Sequence, residues 1–219
     1  MRKAFLYSRT EAIVIPDSST SKGIRASVEL AYDRTVIVTT EHTTGAGAII
    51  GDKIVTSLLL VANVEELFVR FRTGKKMPAF VTRRDHDGNL AELVPASRCL
   101  SAESRKERLA STPSPRIGRI GAIGDPLLIT DVGKGVPSVK VAGTKYVTIL
   151  AEPFCDLWRI KAFAPHGLIG GSIWNTEGQF MGVAIGEKIP SPFERERDPT
   201  DRSVYFIPSE EVMDFVETN

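Results

Sequence analysis

Cysteine is scarce in this 219-residue sequence, which holds only Cys99 and Cys155. The two residues are far apart, and neither lies in a Cys-x-x-Cys or Cys/His pattern. This spacing argues against a disulfide framework and against a zinc site with the usual ligand pattern. We expect two ordinary thiols, no bound metal and no cofactor.

Long apolar runs are also missing from the sequence. Stretches such as Leu58–Ala62 fall far short of the roughly 18 residues that span a bilayer. We expect no export signal either, because Arg9 and Glu11 interrupt the apolar segment that begins at Ala4. The sequence therefore predicts a soluble, cytoplasmic protein with no membrane partner.

Net charge is small, since 28 Lys and Arg residues face 27 Asp and Glu residues and leave +1. A chain this close to neutrality has no electrostatic reason to bind nucleic acid, and we expect no such partner. The charge is unevenly placed, however. Residues 1–120 hold 19 basic and 13 acidic side chains, whereas residues 121–219 hold 9 and 14. This asymmetry predicts two lobes that attract each other.

Short apolar runs rich in Val, Ile and Thr recur along the chain, separated by Gly, Pro, Asn and Asp. This rhythm is typical of an all-β protein. In a first lobe, residues 26–100, we predict strands at Ala26–Tyr32, Thr35–Thr39, Gly45–Ile50, Lys53–Leu58, Leu67–Phe71, Pro78–Arg84 and Ala91–Pro95. In a second lobe, residues 117–207, we predict strands at Gly118–Ile123, Leu127–Val132, Ser138–Val141, Lys145–Leu150, Leu157–Ala162, Ser172–Asn175, Gln179–Ile185 and Ser203–Ile207.

The remaining segments do not read as strands. Residues 1–25 form a separate amino-terminal segment, and the polar, charged, proline-bearing residues 101–116 are typical of a connector between lobes. Residues 208–219 predict one short helix, because Ser209 is a suitable N-cap, acidic residues follow it, and later apolar residues have helical spacing.

Three segments resemble the trypsin-like serine peptidases in their bacterial, HtrA-like form. Gly45–Ser57 is similar to the family's G-S-G-V-I-I and I-V-T-N-N-H-V-V strands, and Asp85–Ala91 to its D-x-x-x-D-L-A segment. Gly167–Gly171, with Gly178–Val183 after it, resembles the G-N-S-G-G-P turn and the following hairpin. The likeness extends over roughly residues 27–217. It implies two packed six-stranded β-barrels and a short C-terminal helix, and we expect no appended PDZ domain.

The resemblance places the family's catalytic histidine on Leu59, its aspartate on Asn89 and its serine on Ile169. Peptide hydrolysis by that triad needs an oxygen nucleophile, an imidazole base and a carboxylate that orients the base. Leu59 and Ile169 carry no such atom, and the Asn89 amide carries no charge. The three changes predict a pseudopeptidase, not an enzyme, in which Leu59 and Ile169 are buried against each other between the lobes.

A dead peptidase scaffold can still bind protein. The turn of Gly167, Leu168, Ile169 and Gly170 corresponds to the family's oxyanion turn, and its N–H groups could hold a carbonyl or carboxylate. We predict a protein or extended peptide as partner, added along a sheet edge. Residues 1–25 are a candidate for self-association, because HtrA-like relatives commonly assemble through amino-terminal segments.

Two further sets of residues have both a binding and a structural interpretation. Phe154, Trp158 and Trp174 are either partner anchors or core residues, the latter being favoured. A second set is either a basic face for an acidic partner or, as favoured, an ordinary solvated hairpin; its members are Arg70, Arg72, Lys75, Lys76, Arg83 and Arg84.

The alternative to a dead scaffold is a hydrolase with a rebuilt centre. His166 and Ser172 flank the turn on either side of Ile169, which places a possible base and a possible nucleophile near the former serine. Closeness in sequence does not provide hydrogen-bond geometry, so a surface imidazole and a strand serine are the favoured interpretation.

Overall fold

A computed structural model describes residues 22–72, 74, 76–96, 114–118, 126–133, 136–142, 150–151, 156–161, 167–188 and 203–218. Several predicted features lie outside these residues. They are residues 1–21, most of the connector, most of the strand at Gly118–Ile123, most of Lys145–Leu150, Lys75, Cys99, Phe154, Cys155 and His166.

The predicted strand at Ala26–Tyr32 is wrong, because Lys22–Asp33 forms a helix, α1. Its buried residues Val28 and Ala31 lie one helical turn apart and join a core cluster made largely of second-lobe residues. The helix ends where the Arg34 N–H donates to the Leu30 carbonyl and the Thr35 hydroxyl donates to the Ala31 carbonyl. The first barrel therefore begins at Thr35.

The first lobe is a closed antiparallel barrel of six strands, as predicted. Its strands run in the order β1-β2-β3-β6-β5-β4 around the barrel. A four-residue helix, α2 (Leu58–Val61), follows β3 where the strand was expected to continue. The strands are β1 (Thr35–Thr40), β2 (Thr44–Ile50), β3 (Lys53–Ser57), β4 (Leu67–Arg70), β5 (Met77–Asp85) and β6 (Leu90–Pro95).

The second lobe contributes one seven-stranded antiparallel sheet within the described residues, with the strand order β8-β7-β11-β12-β13-β10-β9. The resemblance implied a second closed barrel, and the described pairings form a sheet. The strands are β7 (Leu127–Gly133), β8 (Val136–Ala142), β9 (Leu150–Ala151), β10 (Asp156–Lys161), β11 (Ser172–Asn175), β12 (Phe180–Lys188) and β13 (Ser203–Pro208).

The predicted C-terminal helix is present as α3 (Ser209–Glu217), but the predicted N-cap is wrong. Pro208 is the N-cap, and it supplies no side-chain cap. Ser209 lies inside the helix and is buried, with its hydroxyl 3.3 Å from the Gly118 carbonyl oxygen and 3.1 Å from Glu210 Oε2. The hydroxyl is therefore used for packing between segments instead of capping.

The two lobes share one apolar core. Residues on the outer face of the barrel, including Ile50, Val55 and Leu90, pack with Trp174 and Phe180 of the sheet. Both α1 and α3 contribute to the same cluster. A separate cluster fills the barrel interior, and a third lies within the second lobe. Each Å² of apolar surface removed from water contributes about 25 cal/mol to stability. Burial of this shared core therefore stabilises the packing of the two lobes against each other.

Candidate functional site

Asn89 lies directly beside α2, the helix that carries Leu59. Its Oδ1 accepts the N–H of Leu59 at 3.1 Å, and its backbone carbonyl accepts the N–H of Leu58 at 2.9 Å. Ser57 Oγ also accepts the Leu59 N–H, at 3.3 Å, as the N-cap of α2. Asn89 adopts φ 51°, a left-handed conformation that asparagine tolerates better than most residues. Two of the three residues that the resemblance aligns with the triad, Asn89 and Leu59, are therefore joined by a hydrogen bond.

The predicted burial of Leu59 is wrong, because its side chain is 65% exposed. The neighbouring Leu58, Leu60 and Val61 fill the barrel interior, and a helix of four residues cannot turn every side chain inward. Ile169, by contrast, is half-buried and packs against the barrel cluster. Leu59 thus presents an apolar side chain to solvent.

The turn at Gly167–Gly171 presses against the first barrel. The Ala46 N–H donates to the Ile169 carbonyl at 2.9 Å, and a Cβ built on Gly45 would lie 2.6 Å from that oxygen and 2.7 Å from Leu60 Cδ2. The backbone of Gly45 therefore lies between the turn and Leu60 of α2, with no room for a side chain at position 45. The structure brings the Leu59, Asn89 and Ile169 segments together at this point.

The N–H groups of this turn are only partly available to a ligand. Gly170 N–H donates to the Ala184 carbonyl at 2.7 Å, and Gly171 N–H donates to the Leu168 carbonyl at 2.7 Å. Gly170 is therefore not a ligand donor, which corrects its predicted role. Within the described part of the chain, Gly167 and Ile169 donate no backbone hydrogen bond. The side chain of Leu168, the second residue of the turn, is buried.

Ser172 lies in the core and not at the surface of the turn. It is fully buried; its hydroxyl accepts Trp174 Nε1–H at 2.7 Å and lies 3.0 Å from Thr130 Oγ1. Its backbone N–H donates to the same Thr130 oxygen at 2.7 Å. A nucleophile must reach a substrate carbonyl, and this hydroxyl has no open side. The geometry therefore argues against Ser172 both as a rebuilt nucleophile and as a ligand contact.

Trp174 packs in the core, as favoured from the sequence. It is fully buried, and its ring meets Phe180 edge-on with the ring centroids 5.4 Å apart. It cannot serve as an exposed partner anchor. The backbone of Trp158 is paired with Phe206 in the β10–β13 ladder.

The basic side chains of the first lobe do not act as one face. Arg72 pairs with Asp33 and lies over the Tyr32 ring, at 4.5 Å from its centroid. Lys76 lies over the Phe68 ring, 4.2 Å from its centroid. Arg83 extends to the end of α3 instead. Because these side chains contact different groups within the molecule, the interpretation of the basic residues as an ordinary solvated hairpin fits better than that of a binding surface for an acidic partner.

The loop that follows α2 is held by Glu41. Its Oε1 accepts the N–H of Glu65 at 3.0 Å, and its Oε2 accepts that of Glu66 at 3.2 Å. Hydrogen bonds from its own backbone N–H and from Glu65 are the main causes that lower the pKa of the exposed Glu41 carboxyl. The charged carboxylate thus ties the β1–β2 loop to the chain leaving α2.

Glu41 predicts a local pH dependence. Because the folded pKa is lowered, the carboxylate stabilises this loop above its ordinary pKa, and the contribution is lost as pH falls through the lowered value. We expect the protection factors of the Glu65 and Glu66 amides, measured by two-dimensional NMR and corrected for the slower intrinsic exchange at low pH, to fall on acidification. Glu41→Gln should produce the same change at neutral pH. Identical Glu65 and Glu66 protection in Glu41→Gln and the parent protein would contradict this assignment.

The described residues hold no grouping of three or more His, Cys, Asp or Glu side chains that suits a metal ion. None of the helices in the described ranges is long and apolar enough to cross a membrane.

No protein-family model matches this sequence, and no curated protein matches it. Solved structures do. A serine endoprotease from Yersinia pestis superposes with a TM-score of 0.67 at 20% identity, covering 89% of this chain and 65% of that one, so the present chain spans less than two thirds of its length. An inactive form of the Rv3671c protease gives 0.64 at 18% identity over 86% and 89% of the two chains.

A further Rv3671c structure, from M. tuberculosis H37Rv and described as an inactive serine-to-alanine mutant, has a TM-score of 0.65 at 19% identity over 91% and 94% of the chains. At these identities the likeness establishes the fold alone. The fold is that of the trypsin-like serine proteases.

Proposed function

We propose that this chain is a pseudopeptidase: a trypsin-like scaffold that binds a protein or an extended peptide and does not cleave it. The observation that supports the proposal is the Asn89–Leu59 hydrogen bond, because the two residues that the resemblance aligns with the acid and the base lie side by side, and neither is an acid or a base. Ile169, in the turn that meets this segment, likewise offers no oxygen for attack.

The consequence for rate follows from the roles of the triad. In peptidases of this kind the removal of a triad member lowers kcat by about 10⁴-fold or more, and the effects of several removals do not add. Here the three positions hold hydrocarbon or neutral amide side chains. We therefore expect turnover at least about 10⁴-fold below that of a peptidase with an intact triad.

The proposed binding surface combines an apolar side chain with backbone donors. Leu59 is exposed, Ile169 is partly buried against the barrel, and the N–H groups of Gly167 and Ile169 donate no hydrogen bond among the described residues. An extended segment would place a carbonyl on the N–H groups and an apolar side chain on Leu59. Fully burying a leucine side chain contributes about 1.5–3 kcal/mol, so Leu59 would matter to affinity.

A pair of matched substitutions tests this surface. Leu59 and Phe80 are 65% and 63% exposed on the same barrel, but Phe80 lies on β5, opposite Val94 of β6, and not on α2. We expect Leu59→Glu to weaken binding of an immobilised, reduced and alkylated unfolded protein by at least about tenfold, which is 1.4 kcal/mol. Phe80→Glu should bind like the parent. Equal effects of the two variants, or none, would contradict the proposed site.

A further inference from the structure

The C-terminal end of α3 is held by side chains of the other lobe. Lys53 Nζ, on β3, donates to the Val216 carbonyl at 2.6 Å. The Arg83 guanidinium, on β5, donates to the Phe215 carbonyl at 2.5 Å and also to the Thr218 carbonyl. Arg83 Cζ lies 4.3 Å from the centroid of the Phe215 ring. Two first-lobe cations thus meet three carbonyl oxygens at the end of α3.

The helix needs these cations because its own sequence does not supply any. The last carbonyls of a helix lack intrahelical partners and carry a partial negative charge, which cations stabilise. Within Ser209–Glu217 the last turn has no basic residue, and Asp214 and Glu217 add negative charge there. A helix of this length is marginal by itself in water. Its C-terminal half therefore depends on the first lobe.

The same helix belongs to the second lobe by its connection and its packing. It follows β13 directly, and Val212, Met213 and Phe215 enter the core that both lobes share. β13 pairs with β12, whose Ala184 carbonyl accepts the Gly170 N–H of the candidate turn. The start of α3 and the turn are thus attached to neighbouring strands of one sheet.

We propose that Lys53 and Arg83 form an electrostatic latch that fastens α3 across the lobe interface, and that α3 opens from its C-terminal end as a unit when the latch is released. The Ala46–Ile169 hydrogen bond and the shared core keep the lobes joined in that open state.

Native-state hydrogen exchange, measured by NMR, tests the latch in the full chain. In Lys53→Met/Arg83→Met we expect the amides of Met213 to Thr218 to exchange at least about tenfold faster, because two helix-terminal cations are lost. The amides of Val183 and Ala184 on β12 should keep their parent rates. Raising the salt concentration of the parent protein should also increase the exchange rates of the same α3 amides, since salt screens exposed charges.

Arg84→Met is the matched control, because Arg84 is an exposed cation next to Arg83 on the same strand. It should leave α3 exchange unchanged. Unaltered α3 exchange in the double variant, or equal acceleration of α3 and β12, would overturn the latch. If the double variant does not fold, the single variants Lys53→Met and Arg83→Met are measured against the same control and judged by the same two outcomes.

Discussion

Gly170→Ala is expected to destabilise the folded protein strongly. Gly170 has φ +81°, a conformation that costs a residue with a Cβ about 1–2 kcal/mol. A Cβ there would also lie 2.0 Å from the Ala46 carbonyl oxygen and 2.0 Å from Thr56 Oγ1. Those two oxygens already share a hydrogen bond of 2.7 Å and cannot easily move apart. We expect a loss of at least about 3 kcal/mol, a large share of the 5–15 kcal/mol typical of a folded domain.

Gly186→Ala is the control for that experiment. A Cβ on Gly186 would meet no described atom within 4 Å beyond its chain neighbours, so the change should be close to neutral. Urea denaturation followed by circular dichroism compares the two variants with the parent. Similar unfolding free energies for Gly170→Ala and Gly186→Ala would show that the turn does not press against the barrel as described.

Trp174→Ala is expected to lower the free energy of unfolding by about 3–5 kcal/mol, the usual cost of deleting a large aromatic side chain from a core. Trp174 is fully buried, contacts Phe180 edge-on and donates its indole N–H to Ser172 Oγ. It also lies in the cluster shared by both lobes, so the loss should be felt across the interface. Leu59→Ala, at an exposed position, should change the unfolding free energy by less than about 0.5 kcal/mol.

Trp174→Phe separates the hydrogen bond from the packing. It keeps most of the apolar volume but removes the donor to the buried Ser172 hydroxyl, which should cost about 1–3 kcal/mol. Thermal and urea unfolding of both variants provide the comparison. A Trp174→Ala loss no larger than that of Leu59→Ala would contradict the placement of Trp174 in the core.

Sequence pattern predicted strands well where side chains alternate or where an apolar run is bounded by turn residues. β11 has the predicted bounds, and β1 and β2 differ from theirs by one residue. The pattern failed at Ala26–Tyr32, because Val28 and Tyr32 favour strands by composition while Val28 and Ala31 pack with helical spacing. Helix α2 has only four residues, which is too few for a helical periodicity of apolar residues to be recognised in the sequence.

The candidate site could be located from the sequence only through the family resemblance. No local pattern indicates that Asn89 bonds the N–H of Leu59, since 30 residues separate them. The exposure of Leu59 depends on that long-range bond and on how α2 turns its other side chains into the barrel. The burial of Ser172 likewise depends on Thr130 and Trp174, whose approach is set by sheet pairing.

Hydrolysis of an unstructured protein, followed by intact mass and combined with fluorophosphonate labelling of this chain, tests the central claim most directly. A pseudopeptidase without a serine nucleophile at position 169 should leave the substrate mass unchanged and take up no label. Cleavage that persists through purification and is abolished by Ser172→Ala or His166→Ala would contradict the account. That result would place a rebuilt catalytic centre beside Ile169.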